Sequence, residues 1–250
     1  MDPPSLLACT YLCAVTGDID FPQQGNEVDQ YLAQLALRSV QGKPNESVGY
    51  GVVNEMLIEH RNLRPRGEVL IFPQLRLKWN PRNHRDRRVN LSDCGIGRLL
   101  NDGTILLQGG LEHKPPILPL MADFPDPSTI KSHGSVDLQF ALASRQAADQ
   151  VKAAIKNGAV PYNEVIEWII SVGPYFIIRR FGPFTQAELD TRGHRPNDSG
   201  DADVADLIEL AHQFHTIPET MHRIRTTEAA IAVEAFLNIG ARLYASNVRM

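Results

Sequence analysis

Cysteine is scarce in this chain. Cys9, Cys13 and Cys94 are the only three among 250 residues, too few and too scattered for a disulfide framework. Such sparing use is expected of a protein kept in a reducing compartment. Cys9 and Cys13 lie four apart on an apolar stretch and read as packing residues rather than metal ligands. Long apolar runs are missing too. The longest, Leu6 to Val15, falls far short of the ~20 residues that a membrane helix needs. Asp2 stands where a secretory signal carries its basic start. The expectation is an intracellular chain, nuclear or cytoplasmic, with no membrane partner.

Positive charge is not in excess: 25 Lys and Arg face 29 Asp and Glu, a formal net charge of −4. The total therefore gives no sign of a nucleic-acid partner. There is no glycine-rich phosphate loop of nucleotide-binding type, no His-based nucleophile system, no internal repeat and no low-complexity linker. What remains is 43% apolar and 22% charged, a soluble globular composition that argues against extensive disorder. The length suffices for one sizeable core or one domain with an appendage.

The distribution of charge says more than its sum. Arg61, Arg64, Arg66, Arg76, Lys78, Arg82, Arg85, Arg87 and Arg88 are opposed over that stretch only by Glu68 and Asp86, while acidic residues gather around Asp190 to Glu209 and in the first thirty positions. Arg82, Arg85, Arg87 and Arg88 are candidate phosphate contacts, since neutralising phosphates releases counterions. A solvated basic loop is the alternative.

This strip runs straight into Arg87–Pro116, RRVNLSDCGIGRLLNDGTILLQGGLEHKPP. Val89-Asn90-Leu91 and Ile105-Leu106-Leu107 flank Asn101-Asp102-Gly103, and Asp-Gly between apolar runs predicts a β-hairpin. Alternation along a strand places Glu112 and Lys114 on one face and turns His113 away. Cys94 likewise faces opposite to Asp93, into the core. Asp93 and Glu112 can then converge beside one ammonium. Mg²⁺ takes oxygen ligands and retains several waters, so one or two carboxylates plus a substrate phosphate make a sufficient site. Lys114 would supply a compact charge to hold a phosphate or polarise water. A solvated Glu-x-Lys cross-strand pair is the non-catalytic alternative.

Asp93, eighteen intervening residues with a turn, and Glu112-x-Lys114 on an apolar strand resemble the PD-(D/E)XK, restriction-endonuclease-like, nuclease superfamily. The resemblance implies an α/β fold with a mixed sheet in the order α-β-β-β-α-β. It also implies Mg²⁺ or Mn²⁺ bound by Asp93 and Glu112, and phosphodiester hydrolysis in DNA or RNA with Lys114 aligning the water. Ser92 occupies the place where the family often has proline. In the family a Glu from the helix before the sheet often joins the metal shell, which points to Glu55, with Glu59 in reserve. A Gln or Lys from the helix after Glu-x-Lys sometimes supports the site, which points to Gln150. The tract from Arg87 to Lys114, with Gln146–Lys156, Val172–Tyr175 and Phe181–Phe184, also resembles uncharacterised proteins of basidiomycete fungi, a resemblance that supports the fold and carries little chemistry.

Along the chain, helices are predicted over Glu27–Val40 and from about Asn45 or Ser47 to His60, the latter with Val52, Val53, Met56 and Leu57 inward. Glu68–Trp79 reads as a strand in which Pro73 marks an edge or bulge. Pro115–Pro127 is a proline-rich loop or lid. Val136–Asn157 is a helix closed by Gly158, with Leu138, Ala141, Leu142, Ala148, Val151, Ala154 and Ile155 as its buried side. Val165–Val172 reads as a strand buried on both faces, followed by a Gly173-Pro174 turn and a strand over Tyr175–Arg180. The Asp198–Asp206 cluster lacks the offsets of a calcium loop and reads as capping of a helix over Ala202–His215, on which His212 and His215 are structural. A last helix runs from Thr226 to about Ser246. The expected organisation is a helical extension (1–44), a nuclease-like α/β core (45–184) and a C-terminal helical extension packed on it (185–250). Two readings compete with the nuclease: an inactive member of that fold acting as a nucleic-acid or protein-binding module, and a structural homo-oligomer joined through its terminal helices.

Overall fold

The computed structural model describes residues 57–58, 69–79, 88–100, 102–117, 120–121, 125–131, 133–190, 219–224 and 226–247. Apart from Leu57 and Ile58, which are helical, the helices expected over Glu27–Val40, Ser47–His60 and Ala202–His215 lie outside them.

Three consecutive strands open the sheet: β1 (Leu70–Trp79), β2 (Arg88–Leu99) and β3 (Ile105–Lys114). Each is antiparallel to the next. The β2–β3 turn is the predicted one: Gly103 takes φ +82°, Thr104 N–H donates to Asp102 Oδ1 at 2.9 Å, and Leu100 N–H donates to the Thr104 carbonyl at 2.8 Å. The left-handed φ at this position is the reason for glycine. Pro73 sits in β1, an edge of the sheet, as a residue without an N–H should.

Next come a short helix α1 (Pro127–Lys131) and a long helix α2 (Gly134–Lys156). They are followed by β4 (Ile166–Val172), β5 (Tyr175–Phe181), a turn of helix α3 (Gln186–Asp190), the two-residue β6 (His222–Arg223) and α4 (Thr227–Asn247). The six strands lie side by side in chain order. Only β3 and β4 run parallel, and that pairing requires the crossover that α2 supplies. The protein is thus mixed α/β, built on a six-stranded mixed sheet. Among the described residues no helix is long and apolar enough to cross a membrane.

Each face of the sheet carries one long helix. Phe140, Ala143, Ala147, Val151 and Ala154 of α2 pack with Leu77, Leu107, Trp168, Ile170 and Val172. On the other face Ala229, Ala230, Val233, Phe236 and Leu237 of α4 pack with Cys94, Ile96, Leu111, Ile169 and Phe176. β4 is therefore buried on both sides, as its near-continuous apolar run requires. Thr226 caps α4, its Oγ1 accepting from Ala229 N–H at 3.1 Å. At the other end of α2, Gly158 takes φ +74° and closes the helix as predicted.

The buried stripe of α2 differs in part from the one expected. Leu138 is 37% exposed, and Leu142 and Ala148 are only partly covered. Ala141, Val151, Ala154 and Ile155 are buried as expected, while Phe140, Ala143 and Ala147 take the places assigned to Leu138, Leu142 and Ala148, the small alanines letting the backbone approach the sheet. Choosing the leucines rotates the face away from the alanine row that makes the contact.

One irregularity sets the face on which β3 presents its polar end. Ile96 pairs with Gly109, but Gly97 pairs with Leu107, so Gln108 is an extra residue opposite the gap. Such a bulge reverses the alternation. Leu107 and, beyond the bulge, Gly110 and Glu112 consequently all face α2: a Cβ on Gly110 would overlap the Trp168 ring, and Glu112 meets Gln150.

Candidate active site

The β2–β3 ladder ends at the pair Cys94 and Leu111. One step further the strands part, and the Asp93 side chain fills the place of a backbone partner: its Oδ2 accepts the His113 N–H at 2.7 Å. Cys94, fully buried, faces α4 as alternation demands, which leaves Asp93 on the α2 side with Glu112.

Glu112 is 4% exposed. Lys114 Nζ donates to its Oε1 at 2.9 Å, and Gln150 Nε2, reaching down from α2, donates to its Oε2 at 2.6 Å. A carboxylate has about four acceptor positions, so these two donors leave room for further ligands. Burial, and then the negative charge of Asp93, push the Glu112 carboxyl up to about 7, against the opposing pull of Lys114 and Gln150. Asp93 is therefore close enough to act electrostatically on Glu112. The result is a carboxylate pair that shares its charge with one ammonium and one amide at the end of β3.

On the other face of β3, His113 is fully buried with Nδ1 3.0 Å from Ser171 Oγ. Burial, followed by the charge of Lys114, lowers its pKa to about 3, so the ring is neutral.

No family model, no curated protein and no solved structure matches this chain.

The structure brings Asp93, Glu112, Lys114 and Gln150 together. Glu55, Glu59, Arg82, Arg85 and Arg87 lie outside the described residues; Arg88 opens β2 opposite Trp79, and its side chain is outside them as well. Among the described residues no group of three or more His, Cys, Asp or Glu side chains converges. The donor set here is two hard carboxylates, Asp93 and Glu112, which suits an ion that retains waters and takes a substrate oxygen better than one needing a closed protein cage. Sequence reasoning missed the Ser171 contact and the Gln108 bulge. A lone Ser near the end of VIEWIISV and the Gly109-Gly110 pair after Gln108 were the available signals.

Proposed function

We propose that this chain is a metal-dependent nuclease that hydrolyses phosphodiester bonds in DNA or RNA, built on a PD-(D/E)XK, restriction-endonuclease-like core. The observation that carries the reading is Glu112, bonded to Lys114 two residues along its strand and pushed up in pKa first by its burial and then by Asp93 on the neighbouring strand. The succession β1-β2-β3-α2-β4, with its parallel β3–β4 pair, supports the α-β-β-β-α-β order.

Asp93 and Glu112 would hold Mg²⁺ or Mn²⁺, with Glu55 as the third carboxylate. When bound, the ion offsets the charge that develops on phosphoryl oxygens and lowers the pKa of water. Lys114 orients the attacking water or the scissile phosphate from its place on Glu112 Oε1. Gln150 fixes the other oxygen, so that the carboxylate does not turn. Arg82, Arg85, Arg87 and Arg88 would track the backbone of the nucleic acid by charge.

One observation favours a second reading, an inactive module on the same fold: both Glu112 oxygens already accept from protein donors. Thermal melting against Mn²⁺ separates the two. An ion that binds only the native state stabilises by mass action, by about 2.7 kcal/mol at a hundred times its Kd. A melting temperature that rises in wild type and stays flat in Glu112→Ala supports the nuclease; flat curves for both support the inactive module.

A further inference from the structure

The contact between β3 and β4 on the face turned away from Glu112 is polar where its surroundings are not. His113 and Ser171 are register partners across the parallel pair, and His113 Nδ1 lies 3.0 Å from Ser171 Oγ. Ser171 Oγ donates to the Gly173 carbonyl at 3.3 Å, and Gly173 N–H donates to the Lys114 carbonyl at 2.9 Å. The contacts close a loop through residues 113–114 and 171–173. A serine has one hydrogen to give. With that hydrogen on Gly173, Nδ1 of His113 carries the ring hydrogen and donates to Ser171. His113 Nε2 is then buried without a hydrogen-bond partner among the described residues, on the sheet face that carries Cys94, Leu111, Ile169 and Phe176.

An apolar side chain would fill this position without an orphaned nitrogen. What the imidazole offers instead is a fixed link to β4 at the residue whose backbone N–H holds Asp93 Oδ2, at 2.7 Å. β3 keeps its backbone ladder with β4 through Lys114 and Val172 but has lost the one with β2, whose last pair is Cys94 and Leu111. One edge of the strand is therefore open there, and the side-chain link adds to the hold on the other. Rotation of β3 about its axis at residue 113 would move the Asp93 acceptor and swing Glu112 and Lys114 together.

We propose that the His113–Ser171 pair is a positioning device for the Asp93, Glu112 and Lys114 site: by tying β3 to β4 it aims the His113 N–H at Asp93 and holds the two carboxylates in register. The proposal rests on the reading of that site as a metal-dependent hydrolase. Neither residue touches substrate or ion; both act through Asp93 and Glu112.

The test measures Mn²⁺ affinity by calorimetry, together with kcat and KM on a cleaved oligonucleotide, in wild type, His113→Leu, His113→Asn, Ser171→Ala, Leu111→Val and Glu112→Ala. Each protein is assayed well below its own Tm. Asparagine places an amide N–H where histidine has Nδ1, so His113→Asn keeps the donor to Ser171 and loses the ring. Supporting groups behind metal ligands typically carry about 10- to 100-fold in affinity or activity. The expected result is a loss of about tenfold in Mn²⁺ affinity and in kcat at unchanged KM for His113→Leu and Ser171→Ala, with His113→Asn close to wild type. Leu111→Val, on the same face of β3, should lower Tm and leave both readouts alone. The proposal is overturned if Ser171→Ala binds Mn²⁺ and turns over like wild type while Glu112→Ala is dead. It is equally overturned if His113→Asn is as impaired as His113→Leu. Should wild type neither bind Mn²⁺ nor cleave, and so match Glu112→Ala, the hydrolase reading fails and the positioning role fails with it. If His113→Leu does not fold, Ser171→Ala decides.

Discussion

Lys114 reaches back along its own strand to place Nζ 2.9 Å from Glu112 Oε1, and the two side chains are only 15% and 6% exposed. Removing one partner of a largely buried pair leaves the other charge uncompensated, at a cost of about 3 kcal/mol. Lys114→Met, which keeps the stem and deletes the ammonium, should lose about that much stability at pH 8 and clearly less at pH 5, where Glu112 can take a proton. Urea denaturation at the two pH values checks it; equal losses would mean that the pair contributes no charge stabilisation.

The pH dependence of stability has two opposed contributions. Glu112, raised from 4.5 to about 7, binds its proton more tightly folded than unfolded. Its contribution is complete below about pH 4.5 and is lost as pH rises through 7. His113, lowered from 6.5 to about 3, works the other way: its contribution is present above 6.5 and is lost as pH falls toward 3. The stability advantage of wild type over Glu112→Gln should therefore shrink between about pH 5 and 8, and its advantage over His113→Asn should grow between about pH 4.5 and 6.5. Parallel pH profiles would contradict both assignments.

Gln150→Leu removes the amide that donates to Glu112 Oε2 at 2.6 Å. A hydrogen bond to a charged acceptor contributes about 1.5–3 kcal/mol, so a loss of that order is expected at pH 8, where Glu112 is ionised, with weaker Mn²⁺ binding. Chemical denaturation and calorimetry on one preparation measure the two together. A variant that binds the ion as tightly as wild type would show that Gln150 serves the fold alone.

At Gly110 there is no room for a side chain, because an added Cβ would overlap the ring of the fully buried Trp168. Gly110→Ala should cost about 3 kcal/mol or more, read from the urea midpoint with Trp fluorescence as the probe. A wild-type midpoint would mean that the indole is not seated against β3 as described.

Much of this framework was legible from local chemistry. Asp102-Gly103 announced the hairpin, Gly158 the end of α2, and the apolar run of β4 its burial on both faces. Period-two alternation separated Glu112 and Lys114 from His113 and set Cys94 against Asp93. The stripe of α2 was read correctly at Ala141, Val151, Ala154 and Ile155 and misread at Leu138 and Leu142, because leucine outweighs alanine in hydrophobicity, whereas closeness of packing selected Ala143 and Ala147. The bulge at Gln108 could not be read from period-two alternation, because a single inserted residue leaves no trace in composition and yet brings Leu107 and Glu112 onto one face. Ser171, alone in an apolar run, marks a polar contact but not its partner: His113 lies 58 residues away in sequence, and only the parallel register of β3 and β4 brings them together.

Cleavage of single- and double-stranded DNA and RNA with Mg²⁺ or Mn²⁺, by wild type and by folded Glu112→Ala and Lys114→Ala proteins, tests the proposed activity most directly. Metal-dependent cleavage that disappears in both variants is expected, since in the proposed mechanism Glu112 would hold the ion and Lys114 would align the reacting groups. Cleavage that survives both substitutions, or no cleavage of any substrate by wild type, would contradict a nuclease centred on Asp93, Glu112 and Lys114.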